Sequence, residues 1–161
     1  MRRTKTKMKT DIRFYDTSSL LVKGETLFKD DNEPFVISSI TLQELESIKT
    51  SAYKDDETKY KARIITNLLV KNRGKYLVHI FTENMLQPIV EKSLSINNDM
   101  KILATAIDYN DHVRIDEVIF VTNDACLSEL ANLFFGDGMI EAVDVEDDDY
   151  TGIIDFTCPD E

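Results

Sequence analysis

Four acidic residues of this 161-residue chain stand where a carboxylate could take part in chemistry. Asp16 follows the apolar run IRFY and Asp124 follows VIFVTN, while Glu44 and Asp99 lie in the first turns of stretches with helical spacing. Four carboxylates brought together repel one another and take up protons unless a cation compensates them. Oxygen-only ligand sets suit Mg²⁺ or Mn²⁺, and such sites activate water for in-line attack on a phosphodiester. The residue types therefore indicate metal-dependent phosphodiester hydrolysis.

Alternating strands and helices would have to position these acids. Apolar and β-branched runs predict strands within 12–16, 35–40, 75–81, 116–124 and 140–145. Apolar residues at helical spacing predict helices within 41–50, 56–74, 84–95, 97–111 and 125–135. This alternation predicts an α/β fold of three layers, in which helices flank a largely parallel, Rossmann-like sheet.

Ligands of open α/β sheets bind outside the carboxyl ends of the strands. Asp16 and Asp124 each end a predicted strand, and Glu44 and Asp99 lie just past loops that lead into helices, so we expect all four at one rim. Taken singly, each acid is more typical of a helix cap, a turn or a solvated helix face. The joint arrangement favours a shared metal site, with which capping remains compatible.

The charge of the chain is uneven. Its formal net charge is −11, whereas a domain that binds nucleic acid over a broad surface usually carries a net positive charge. The first ten residues carry five bases and no acid, and 59–75 carries six bases and no acid, whereas 146–161 is acidic. The bases within 59–75 are typical of the solvent face of an amphipathic helix, and they are also the predicted place for phosphate contacts.

The remaining composition predicts a cytoplasmic protein. Only Cys126 and Cys158 are present, with neither CxxC nor Cys/His spacing, so no zinc site is indicated. No apolar run approaches the roughly 18 residues of a membrane span, and no signal-peptide core follows the charged start.

Four segments in order resemble the PIN-domain nucleases: FYDTSSLL, SSITLQELESIK, NNDMKILATA and VIFVTNDACLSELA. The family pattern is an Asp after the first strand, a Glu in an x-E-L helix, an Asp before an I/L-x-A-x-A helix, and a terminal T-N-D. The resemblance implies a PIN-like fold and a metal-dependent endoribonuclease acting on RNA, with single-stranded RNA as the expected substrate. It implies that Asp16, Glu44, Asp99 and Asp124 are both the catalytic and the metal-binding residues.

The resemblance also divides the chain. It spans roughly 12–145, so we expect a basic, flexible N-terminus at 1–10, a PIN-like nuclease domain at 11–145, and an acidic extension or edge hairpin at 146–161. Dimers are common among the proteins that this chain resembles, so the resemblance implies a possible homo-oligomer. Short polar neighbours of the acids are expected to support the carboxylates or a bound water, namely Asn123, Ser18 and Thr17.

A narrower resemblance is to the PIN domains linked to PhoH-type ATPases. It rests on KARIITNLL, TND and DYTGI, and Arg63 matches a basic position in that group. Arg63, with Lys59 and Lys61 beside it, is therefore the predicted RNA-binding element. The ATPase half is absent, which leaves a stand-alone protein, as in some phage and mobile elements, or a fragment.

Two other functions stay open from the sequence. A PIN-like module could bind RNA or a protein partner without cutting RNA. The negative net charge is consistent with this alternative. A HAD-type phosphatase would need a second Asp where Ser18 stands. His79 and His112 have no Asp or Ser partner suggested by spacing, so each is interpreted as a surface or packing histidine.

Overall fold

The computed structural model describes residues 11–29, 33–113, 117–136 and 139–142. Within them the strands are β1 (Ile12–Tyr15), β2 (Phe35–Ser38), β3 (Tyr76–His79), β4 (Val118–Val121) and β5 (Ile140–Glu141). The α-helices are α1 (Thr17–Lys23), α2 (Ser39–Thr50), α3 (Asp56–Lys71), α4 (Gln87–Glu91), α5 (Asn98–His112) and α6 (Ala125–Ala131). Short 3₁₀ turns cover Gly24–Thr26 and Glu83–Leu86. The segments expected at 1–10 and 146–161 lie outside the described residues.

The described strands form one sheet in the order β3-β2-β1-β4-β5, and every pair of neighbours is parallel. The chain builds outward from β1 through β2 to β3, then returns to place β4 on the other side of β1. The carboxyl ends of β1 and β4 therefore flank the point where the direction of winding reverses, which is where open α/β sheets bind ligands.

Two apolar layers cover the sheet, one on each face. Phe14 and Phe120 pack with the buried side of α5 on one face, whereas Tyr15 and Ile119 pack with α1 and α3 on the other. Side chains of a strand point alternately to opposite faces, so strands covered on both sides become apolar throughout. All four residues of β4 are buried for this reason. The predicted three-layer α/β fold with a parallel sheet flanked by helices is confirmed.

Polar caps set several helix boundaries. The run predicted as one strand over 35–40 ends at Ser38, because the Ser38 hydroxyl accepts a hydrogen bond from the Ile40 N–H and starts α2 there. Asn97 caps α5 in the same way. Pro88 lies in the first turn of α4, where its missing N–H costs nothing, so it begins that helix.

At the far side of the sheet, a bidentate ion pair fixes β5. Arg13 donates from Nε and Nη2 to the two carboxylate oxygens of Glu141, at 3.0 Å each, across the intervening β4.

Over the residues that the structure covers, none of the helices has the length and apolar character needed to cross a membrane.

Candidate active site

Asp16 is the most buried of the four acids. It directly follows β1, is 2% exposed and caps α1 by accepting a hydrogen bond from the Ser19 N–H at 2.9 Å. The hydroxyl of Ser18 lies 3.0 Å from both carboxylate oxygens, and Thr122 Oγ1 donates to Oδ2 at 2.6 Å. Burial nevertheless raises the pKa of Asp16, because desolvation outweighs the hydrogen bonds from Thr122, Ser19 and Ser18 that lower it.

Asp124 begins α6 directly beyond β4. Its Oδ1 accepts the N–H groups of Cys126 and Leu127, at 2.9 and 3.2 Å, so the expected capping role is present. The Asp124 N–H in turn donates to Thr122 Oγ1 at 3.1 Å. Since the same hydroxyl donates to Asp16, Thr122 links the ends of the two central strands.

Glu44 reaches the site from the middle of α2. The Thr17 hydroxyl donates to its Oε1 at 2.6 Å, which orients the carboxylate towards the start of α1. Thr17 is itself buried, and its hydroxyl lies 3.2 Å from that of Thr41. The predicted neighbours of the acids therefore make defined contacts: Thr17 to Glu44 and Ser18 to Asp16.

Asp99 lies in the first turn of α5 and has no hydrogen-bond donor among the described residues. The pKa of Asp99 is raised to about 6, most strongly by partial burial and then by the negative charges of Glu44, Asp124 and Asp16, in that order. Asp99 is thus close enough to all three other acids to respond to their charge. The structure brings the four predicted acids into one electrostatic cluster at the switch point of the sheet.

The donor chemistry of this cluster fits a hard cation, since all the donors are carboxylate oxygens. Several of them lack a hydrogen-bond donor within the described chain: both oxygens of Asp99, Oε2 of Glu44 and Oδ2 of Asp124. However, no three His, Cys, Asp or Glu side chains of the described ranges converge closely enough to hold a metal ion as they stand. Ligation would require the free oxygens to turn inward.

Asn123 contributes to the site through its backbone. Its N–H donates to the Ser18 hydroxyl at 3.0 Å, while its side chain is exposed. Ser19 was not predicted and is fully buried, where its hydroxyl bonds the carbonyls of Asp16 and Val121. Nor was the role of Thr122 predicted, although the motif T-N-D contains it. A buried hydroxyl in that position is the signal that could have found it.

The predicted RNA-binding residues lie on α3, away from these contacts. Ala62, Ile65 and Leu69 form the buried face of the helix. Arg63 is exposed, and Lys61 pairs with Glu57 on the same helix at 3.5 Å. No hydrogen bond or ion pair within the described residues joins Arg63, Lys59 or Lys61 to the four acids.

The interpretation of the two histidines was wrong in one respect, because both have an acidic partner. Asp108 of α5 lies 2.9 Å from His79 Nε2 at the end of β3 and 2.9 Å from His112 Nδ1. The His112 contact has i,i+4 spacing on one helix, which the sequence could have indicated. The His79 contact depends on how α5 packs against the sheet, which spacing cannot indicate.

Comparison of the sequence with known protein families identifies the family of this chain. A family model described as the PIN domain matches residues 14–134, from β1 to just beyond α6. The matched range contains all four acids. No curated protein sequence matches the chain.

Proposed function

Since the chain belongs to the PIN-domain family, whose members are generally nucleases, we propose that it is an endoribonuclease that hydrolyses RNA phosphodiester bonds with Mg²⁺ or Mn²⁺. The observation that carries this proposal is the charge cluster at the switch point, where the pKa of Asp99 is raised to about 6 partly by the other three acids. A divalent cation is the natural counter-charge for such a cluster. When bound, it would neutralise charge on the phosphate and activate the attacking water.

The chain's own residues have distinct parts in this proposal. Asp16 and Asp124 anchor the cation from the ends of the two central strands, and each is oriented by backbone N–H groups at a helix start. Glu44 and Asp99 complete the carboxylate cluster around the cation or position water. Both retain carboxylate oxygens that accept no hydrogen bond within the described chain. Thr17 and Ser18 hold Glu44 and Asp16 through their hydroxyls, and Asn123 supports Ser18 through its N–H.

Cleavage of end-labelled single-stranded RNA tests this function. We expect cutting with Mn²⁺ or Mg²⁺, none with EDTA, and a loss on the order of 100-fold in Asp124→Asn. Asparagine also caps helices well, so this variant should keep the fold and the Tm of the wild type. Equal cutting by wild type and Asp124→Asn would contradict the proposal.

The same assay separates the alternative, a catalytically silent PIN-like module. That module would bind labelled RNA or a protein partner and cut under no metal condition. This second candidate is supported by one observation: among the described residues, no three acidic, His or Cys side chains are close enough together to hold a metal ion.

Several finer points stay predictions. They are the kinship with PhoH-linked PIN domains, the preference for single strands, the RNA contacts of Arg63, Lys59 and Lys61, a homo-oligomeric state and a cytoplasmic location. Light scattering on a sizing column tests the oligomer. Substitution of Arg63 by Ala tests the basic helix, because loss of one phosphate contact lowers the salt dependence of RNA binding by about one unit of slope.

A further inference from the structure

A cleft opens beside the acid cluster, between α2, the loop that follows it and the start of α5. Its volume is about 380 Å³. The side chains that line it are Gln43, Glu44, Ser47, Ile48, Lys54 and Asn98. Glu44 belongs to both the cleft and the acid cluster, and Asn98 directly precedes Asp99, so a ligand in the cleft would lie next to Glu44 and close to Asp99.

The polar side chains of this cleft have unused hydrogen-bonding capacity. Within the described residues, the amides of Gln43 and Asn98, the Ser47 hydroxyl and the Lys54 ammonium have no hydrogen-bond or ion-pair partner. Lysines of the neighbouring helices α2 and α3 are engaged differently, since Lys49 pairs with Glu46 and Lys61 with Glu57. Lys54 is therefore a cation at the edge of an acidic site that is not neutralised by a pair of its own.

This set of groups matches one nucleotide. Asn and Gln amides carry a donor and an acceptor side by side and hydrogen-bond the edges of bases, and an unpaired ammonium binds a phosphate as a point charge. Ile48 supplies apolar surface for the face of a base. The volume lies at the lower end of the range for small-ligand sites, which suits a single nucleotide and not an RNA duplex.

We propose that this cleft binds the nucleotide adjacent to the scissile phosphate, with Gln43 and Asn98 on the edge of its base and Lys54 on its phosphate. The inference rests on the proposed ribonuclease function and adds a place where base preference is set. Sequence-specific recognition of RNA targets unpaired bases through their edges, so the cleft also accounts for a single-stranded substrate.

Steady-state cleavage kinetics with four single-stranded RNAs, identical except for the nucleotide beside the cut, test the proposal. Lys54→Ala should raise KM about tenfold for all four RNAs, leave kcat within about twofold, and reduce the salt slope by about one. The double variant Gln43→Ala/Asn98→Ala should reduce the preference among the four RNAs by about tenfold. Lys92→Ala, at an exposed lysine that does not line the cleft, is the matched control and should change neither quantity.

Melting temperatures of the cleft variants should match the wild type, because the altered side chains are exposed. If the wild type cuts RNA and the cleft variants keep its KM and its base preference, the cleft proposal is overturned while the nuclease function stands. If the wild type neither binds nor cuts RNA with Mn²⁺ or Mg²⁺, both are overturned. The behaviour of the wild type thus distinguishes the two failures.

Discussion

Thr122 connects the two acids that end the central strands. Its hydroxyl donates to the buried Asp16 carboxylate at 2.6 Å and accepts the Asp124 N–H at 3.1 Å. A hydrogen bond to an ionised group contributes about 1.5–3 kcal/mol, and a buried carboxylate that loses one becomes easier to protonate. The Thr122 hydroxyl is thus one of the groups that lower the pKa of Asp16, together with Ser19 and Ser18.

We expect Thr122→Val to lower the free energy of unfolding by about 2 kcal/mol, or about 4–8 °C in Tm for a chain of this length. It should also raise the pKa of Asp16 further, because a hydrogen bond that lowers it is lost. The acidic limb of the pH–rate profile for RNA cleavage should therefore move to higher pH. Thr122→Ser, which keeps the hydroxyl, should follow the wild-type profile, and a valine variant with an unshifted limb would argue against the role of Thr122.

At the scale of residues, the sequence predicts which side chains could do chemistry better than how they are held. The positions of Asp16 and Asp124 at one edge of the sheet were predictable because each follows a recognisable strand, and strand ends of a parallel sheet share an edge. The Thr122–Asp16 bond joins residues 106 positions apart and depends on the register of β1 against β4. No local spacing encodes it.

Helix α5 carries Asp99 and is tied to the sheet by a chain of hydroxyls. Thr105 Oγ1 donates to the Lys101 carbonyl at 2.7 Å, so its contact of 3.0 Å with Ser38 Oγ uses the Ser38 proton. Ser38 Oγ in turn accepts the Ile40 N–H at 3.0 Å. Both hydroxyls are fully buried, so α5 is fixed to the end of β2 by groups that water cannot replace.

Thr105→Val tests this link. The substitution preserves shape but leaves the Ser38 hydroxyl proton without an acceptor in a buried place, which costs about 1–3 kcal/mol, or about 2–12 °C in Tm. Thr66→Val is a matched control, because the Thr66 hydroxyl makes the same bond to the carbonyl four residues earlier, at 2.8 Å, but bonds no second hydroxyl. Equal destabilisation of the two variants, measured by thermal melting, would show that the contact with Ser38 contributes nothing.

Element boundaries were predictable to within a few residues, and the reasons for the differences are local. The strand predicted over 35–40 is shorter because the Ser38 side chain caps a helix, and helix capping competes with strand extension at serine. The helix predicted over 125–135 is regular only to Ala131. The pairing of α5 with β2 through Ser38 and Thr105 could not be predicted, since it depends on three-dimensional packing.

The whole molecule is expected to respond to pH through its buried acids. The folded-state pKa of Asp99 is raised to about 6 and that of Asp16 is also raised, so the native state holds protons that the unfolded state has released. The stability that Asp99 contributes is fully present below about pH 4 and is lost as the pH rises through about 6; Asp16 acts in the same direction. The exposed Asp55 has a lowered pKa, but its opposite effect falls below this window.

In the presence of EDTA, we therefore expect Tm to fall between pH 5 and pH 7.5. The half-buried Asp99 should contribute about 1 kcal/mol after solvent screening, which is about 2–4 °C. Mn²⁺ should raise Tm more at pH 7.5 than at pH 5, because protons compete with the cation for the carboxylates. Differential scanning fluorimetry at both pH values measures this.

Asp99→Asn is the control for this linkage. It should flatten the fall in Tm, since one of the two raised groups is gone, and weaken the effect of Mn²⁺. A wild-type protein whose Tm in EDTA does not fall over this range would contradict the linkage.

The position of β4 has a consequence for the newly made chain. β4 is the fourth strand along the sequence, yet it lies beside β1 near the centre of the sheet, with all four of its residues buried. A chain still on the ribosome keeps one side of β1 unpaired until Val118–Val121 has been made, and long-range pairing of this kind is slow to form. Asp124 lies three residues beyond the end of β4, so a nascent chain that stops within β4 holds only three of the four acids. Under the proposed function, we expect such a truncated chain to cut no RNA.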